Sequence, residues 1–243
     1  MKKMNSDRET AIIVGILFLL TEVTSVTGIL LYHPILNDPV YIIKASVNET
    51  RVLWGAFFEV ILAFANIGTA ITLFPILKKY NECMALGAVC FRLLEAAIIL
   101  IGIMSLLTMV TLNHGFLKET DPNVSDYLTA GKLLVAIHNW TFLFGPNLVL
   151  GPSTFLTGYL LYKSTLVPRF IAVLGLIGGA LILVNALLVM LGIFLQISFW
   201  GAVMAAPVFF YEVSLAVWLL VKGFNPPSIA DDPSTKITQF GRY

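Results

Sequence analysis

Four acidic residues, Glu22, Glu59, Glu95 and Glu212, stand inside long apolar runs of this 243-residue chain, and one arginine, Arg92, stands with them. His138, Asn66, Asn139, Asn147 and Asn185 are the other strongly polar side chains in those runs. Carboxylates surrounded by hydrocarbon hold and release protons or take up cations, and an arginine among them fixes part of the negative charge in place. Arg92 and Glu95 are three residues apart, so a helix presents them on one face. That spacing predicts an Arg92–Glu95 pair, with Glu22 or Glu212 reaching the same guanidinium from other helices. One arginine against four acids leaves surplus negative charge if all ionise, so some of the acids must carry a proton or a cation. Glu22, Glu59, Arg92, Glu95, Asn147 and Glu212 are therefore the candidate substrate- or ion-binding residues. The competing reading is structural: an Arg–Glu clamp between helices, with the other acids neutral and hydrogen-bonded.

The histidines suggest a different chemistry. His33, His114 and His138 all fall towards one end of the apolar runs, with Glu59 at a similar depth. Three imidazoles and a carboxylate that converge can hold zinc and activate a water. No H-E-x-x-H spacing ties any two of them together, and interfacial histidines account for the same pattern. Cys83 and Cys90 are seven residues apart, about 10 Å along one helix face, too far for a disulfide and without C-x-x-C metal spacing. No nucleotide-binding loop, nucleophile elbow or haem motif occurs, so no cofactor is expected. A catalytic set is not identifiable.

The elements that must position these groups follow from hydropathy. Apolar residues make up 58% of the chain and charged residues 12%, against about 25% charged in a soluble domain. The mean hydropathy is +0.89. So few charges cannot cover so much apolar surface in water, and lipid is the natural solvent. The net charge of +1 lacks the basic patch that nucleic acid requires.

Six runs reach the roughly 20 residues needed to span a bilayer: 11–32, 52–77, 84–112, 131–162, 168–194 and 197–221. The sequence thus predicts an all-α membrane bundle of six transmembrane helices, one domain over 1–224, and a short disordered tail over 225–243. With the N-terminus inside, the inner segments hold ten Lys and Arg (Lys2, Lys3, Arg8, Lys78, Lys79, Lys163, Arg169, Lys222, Lys236, Arg242) and the outer loops four (Lys44, Arg51, Lys118, Lys132). That bias places both termini in the cytoplasm. Tyr32, Trp54 and Tyr127 flank the longer outer loops and read as interfacial anchors. Lipid is the obvious partner, a proton, cation or other small molecule the expected ligand, and a homo-oligomer is compatible with the pattern.

The fourth run is unusual. Its 32 residues would measure about 48 Å as a straight helix, against a hydrocarbon layer of about 30 Å. Two Gly-Pro pairs, Gly145-Pro146 and Gly151-Pro152, disfavour α conformation before each proline and remove two backbone donors. The sequence predicts a kinked or broken helix over Gly145–Pro152. Transporters build mid-membrane sites from such helices, while a merely bent helix that packs around its neighbours fits equally well. Gly175, Gly178 and Gly179 read as small residues that let helices approach closely.

Three segments carry a family resemblance. They are Phe91-Arg92-Leu93-Leu94-Glu95-Ala96, the stretch from Gly158-Tyr159-Leu160-Leu161-Tyr162-Lys163 through Val167-Pro168-Arg169 to Leu174-Gly175, and the ending from Pro207 through Glu212 to Trp218-Leu219-Leu220-Val221-Lys222-Gly223-Phe224. The chain resembles the bacterial membrane protein family catalogued as domain of unknown function 4386, from the first run to Phe224. The resemblance implies a multi-pass protein of a bacterial or archaeal cell (plasma) membrane with the same number of spans. It brings no established activity, and it marks Arg92, Glu95, Pro207 and Glu212 as family-pattern positions. Three function classes remain: small-molecule or ion binding and transport through an intramembrane polar cavity, a lipid-acting intramembrane enzyme using Glu59 and the histidines, and a non-catalytic membrane scaffold.

Overall fold

Each apolar run forms one helix in the computed structural model, which describes residues 2–36 and 49–226, the side chains of 2–5 and 33–35 excepted. The helices are α1 (Lys2–Leu36), α2 (Glu49–Leu77), α3 (Glu82–Lys118), α4 (Val124–Ser164), α5 (Arg169–Met190) and α6 (Phe199–Val221). All six are long and apolar enough to cross a membrane, and no strand occurs among the described residues. The chain is a multi-pass membrane helix bundle. Residues 37–48 of the first outer loop and the predicted tail from 227 lie outside the described residues.

The helices form a closed ring. Each packs against its neighbour in sequence, and α1 closes against α6. Outward faces carry exposed apolar side chains such as Phe64, Leu30 and Phe170, a surface that a soluble monomer does not tolerate and lipid does. At the end predicted to be cytoplasmic, Arg8 donates from Nη1 to the Leu219 carbonyl at 3.0 Å and from Nη2 to the Leu220 carbonyl at 2.7 Å. These bonds satisfy two carbonyls at the C-terminal end of α6 and hold the start of α1 beside the end of α6.

Two apolar clusters cap the ring. The inner one joins Phe18 of α1, Leu73 of α2, Leu160 of α4, Ile171 of α5 and Leu215 of α6, all buried. The outer one joins Tyr32, Val52, Leu106 and Met109. Tyr32 corrects an expectation: it is not an interfacial anchor but is 1% exposed, its ring laid against Gly55, where any Cβ would collide with it. Trp54, by contrast, is 53% exposed. The second outer connection is also shorter than the sequence predicts, because α3 continues to Lys118 and α4 begins at Val124, capped by Asn123 Oδ1.

Glycines set the spacing of α4, α5 and α6. A Cβ on Gly179 would lie 2.6 Å from the Phe155 nitrogen and 2.7 Å from the Gly151 carbonyl oxygen; one on Gly178 would lie 2.9 Å from the Val208 nitrogen. These are backbone-to-backbone contacts that no rotamer change relieves, as expected where small residues let membrane helices meet. Gly179→Ala is expected to destabilise the protein by about 1–3 kcal/mol. Gly115→Ala, whose Cβ would make only ordinary contact 3.4 Å from the Tyr127 hydroxyl, should leave thermal unfolding in detergent unchanged. Equal unfolding midpoints for the two variants would contradict this packing account.

Candidate functional site

Arg92, on the inward face of α3, is buried, and three side chains from three helices converge on it. Its Nη2 donates to Glu212 Oε1 of α6 at 2.5 Å, its Nη1 to Glu95 Oε2 at 3.3 Å and to Asn66 Oδ1 of α2 at 3.1 Å. Asn66 Nδ2 in turn donates to Glu95 Oε1 at 3.0 Å, closing a triangle of Arg92, Glu95 and Asn66. The Phe18 ring of α1 lies 5.9 Å from the guanidinium carbon. Both charges of each pair are removed from solvent, so the pairs persist only because their remaining hydrogen-bonding atoms are also satisfied.

The other two acids have no such partner. Among the described residues neither Glu22 nor Glu59 forms an ion pair. Glu22 of α1 stands beside the Glu212 carboxyl, the two acids meeting across the α1–α6 seam. Glu59 of α2 packs against Gly28, where a Cβ would lie 3.1 Å from its Cγ, and its carboxyl faces the Tyr32 hydroxyl. Between these groups lies a cavity of about 240 Å³, with wall residues from all six helices. Glu22, Glu59, Arg92, Glu95, Asn147 and Glu212 all line it, so the structure brings the six predicted site residues to one chamber.

The predicted break in α4 takes a specific form. The helix does not unwind; it passes through a π-helical turn over Phe144–Val149, in which the Leu150 N–H reaches the Gly145 carbonyl five residues back. Pro146 has no N–H to give the Phe142 carbonyl four residues earlier. Two side-chain amides replace it: Asn147 Nδ2 donates to Phe142 O at 3.2 Å, and Gln196 Nε2, from the α5–α6 connection, at 3.1 Å. A carbonyl orphaned inside a membrane must find such donors, since no bulk water is available. Pro146, Asn147 and Leu150 form part of the chamber wall, and π turns of this kind recur at functional positions.

The histidines part company. His114 is exposed, with Nε2 3.0 Å from Glu49 Oε2 at the outer surface, and the His33 side chain lies outside those described. His138 is buried and lines the chamber, its ring edge-on to Tyr32 at 5.5 Å and stacked on Phe142 at 6.4 Å. Among the described residues no group of three or more His, Cys, Asp or Glu is placed to hold a metal. His138 Nδ1 and the Tyr32 hydroxyl, both buried, lack a partner in hydrogen-bonding geometry. Cys83 and Cys90 are free and exposed.

Asn66 and Gln196 were not among the predicted site residues. For Asn66 a signal exists: it follows Glu59 by seven residues, which places both on one face of α2. For Gln196 none exists beyond the missing donor of Pro146, which announces that some amide must arrive without saying which.

A family model described as a domain of unknown function, DUF4386, matches residues 13–223. No curated protein and no protein of known structure matches the chain.

Removing the guanidinium while leaving its acids should be costly. Arg92→Met is expected to lose about 3–5 kcal/mol, since Glu95 and Glu212 are then buried without compensation. Adding Glu95→Gln and Glu212→Gln to Arg92→Met should recover a large part of that loss. Chemical unfolding in detergent micelles measures both, and a triple variant no more stable than the single one would argue against this electrostatic account.

Proposed function

The chain belongs to the DUF4386 family, whose description carries no activity, and we propose from the chamber's geometry that it binds and transports a small cation in exchange for a proton across a bacterial cell membrane. The observation that carries this reading is one chamber of about 240 Å³ whose wall holds four carboxylates and a single arginine already engaged by two of them. At roughly 30 Å³ per molecule it has room for about eight waters, or one small ion with part of its shell. A dry, filled core would have supported the purely structural role; the space around the charges weighs against it.

The chemistry follows from the acid that Arg92 leaves unpaired, Glu22, and its paired neighbour Glu212. Glu22 and Glu212 are adjacent in a low-dielectric site, and Arg92 compensates Glu212 but leaves Glu22 without a countercharge. A shared proton or a bound cation satisfies the pair, and the two exclude one another. Arg92 is the fixed countercharge on the far side of Glu212, so its ion pairs hold the acid in place whichever occupant is present. The π turn and its flanking Gly-Pro pairs give α4 a place to bend as the chamber changes access.

Proteoliposomes enclosing a pH-sensitive dye test this. A gradient of Na⁺, K⁺ or ethylammonium, applied singly, should drive proton movement above that of protein-free vesicles for at least one cation. Glu22→Gln should reduce that rate about tenfold or more, the size expected for losing a desolvated charge at a binding site. Glu119→Gln, at the exposed outer surface, should not. No cation-driven proton movement, or full activity in Glu22→Gln, would refute the exchange.

A further inference from the structure

We propose that the ligand enters the chamber sideways from the lipid, through the seam between α1 and α6, and is the ammonium head of an amphiphile whose apolar tail stays in the membrane. This rests on the cation-binding reading above and adds the route and the chemical class.

Among the described residues, the routes along the bundle axis are lined by buried side chains. On the inner side, Phe18, Leu73 and Tyr211 are at most 3% exposed and border a second cavity of about 20 Å³, room for about one water. On the outer side, Tyr32, Leu106 and Met109 are each 1% exposed or less. The chamber is nevertheless not sealed. Val26 of α1 and Phe209 of α6 both line it, and they are 47% and 43% exposed on the surface that faces lipid. These two residues mark the mouth.

The distance from mouth to acids is short. Glu22 precedes Val26 by four residues and Glu212 follows Phe209 by three, so the carboxyl pair lies about one helical turn, roughly 5 Å, below the lipid-facing residues. A ligand entering there passes Val26, Ile29 and Phe209 before meeting Glu22 and Glu212. Apolar residues at the lip and carboxyls one turn further along the same two helices match a molecule with an apolar tail and a small cationic head. The chamber volume fits a head of a few heavy atoms and has no room for a chain. Fatty acids and anionic lipid heads would meet unpaired carboxylates and are disfavoured. An ammonium group brings three donors, and Glu59 and His138, which also line the chamber, present acceptors besides the Glu22–Glu212 pair.

The test uses dodecylamine carrying a diazirine in its chain, photolysed with the full-length protein in phosphatidylcholine nanodiscs and mapped by mass spectrometry. Labelling is expected to concentrate on the α1 and α6 peptides that contain Val26 and Phe209. It should fall about tenfold or more in Glu22→Gln, which removes a charge, and in Val26→Trp, which fills the mouth and leaves every acid in place. Adding phosphatidylethanolamine to the nanodiscs distinguishes the sources: suppression identifies a resident aminolipid, and undiminished labelling a foreign amine, each within the proposal. Labelling spread evenly over all lipid-facing helices, or insensitive to both variants, overturns it. So does ethylamine competing as well as dodecylamine, or cation-driven proton exchange that persists undiminished in Val26→Trp; both overturn entry from lipid while leaving the cation reading intact.

Discussion

A single buried guanidinium organises this bundle. Arg92 is buried away from bulk solvent, and its charge and donors are met by protein from α2, α3 and α6 at once. That requirement reaches well beyond one salt bridge. Glu95 comes from the same helix, but Asn66 and Glu212 arrive only if α2 and α6 stand on either side of α3's inward face. The ring of helices is thus closed around a charge, and the space that remains inside is a consequence of spacing helices to fit polar groups rather than methyl groups.

The two ends of the ring are built by a different rule. There, aliphatic and aromatic side chains pack directly, as Phe18, Leu160 and Ile171 do at the inner end and as Tyr32 does against Gly55 at the outer end. Tight packing at both ends and loose polar packing in the middle are complementary. The ends hold the helices rigidly enough that the middle can remain open without collapsing, and the fixed Arg92–Glu212 contact keeps the acid beside Glu22 from swinging away.

Much of this was legible in the sequence. Hydropathy alone gives six helices, because hydrocarbon admits few alternatives; the interval from Arg92 to Glu95 gives their pairing, because helix periodicity is fixed. The Gly-Pro pairs mark the interruption of α4. What the sequence withheld were matters of three-dimensional choice. A proline can bend a helix, break it or widen it, and the decision for a π turn depended on Asn147 and Gln196 being in reach of the Phe142 carbonyl. Tyr32 sits where an interfacial anchor would sit, yet the missing side chain at Gly55, on another helix, draws it inward. His138 is buried where His114 is exposed, and only packing against Tyr32 and Phe142 shows that it belongs to the chamber.

The amide of Gln196 ties two separate parts of the chain together. It reaches from the connection between the last two helices to the one carbonyl that Pro146 leaves without a backbone donor, so the shape of the fourth helix and the position of that connection become a single mechanical variable. Withdrawing the amide leaves Asn147 alone to hold the carbonyl, and Asn147 is itself part of the chamber wall. One carbonyl thus joins the connection between the last two helices to the chamber wall through two side-chain amides.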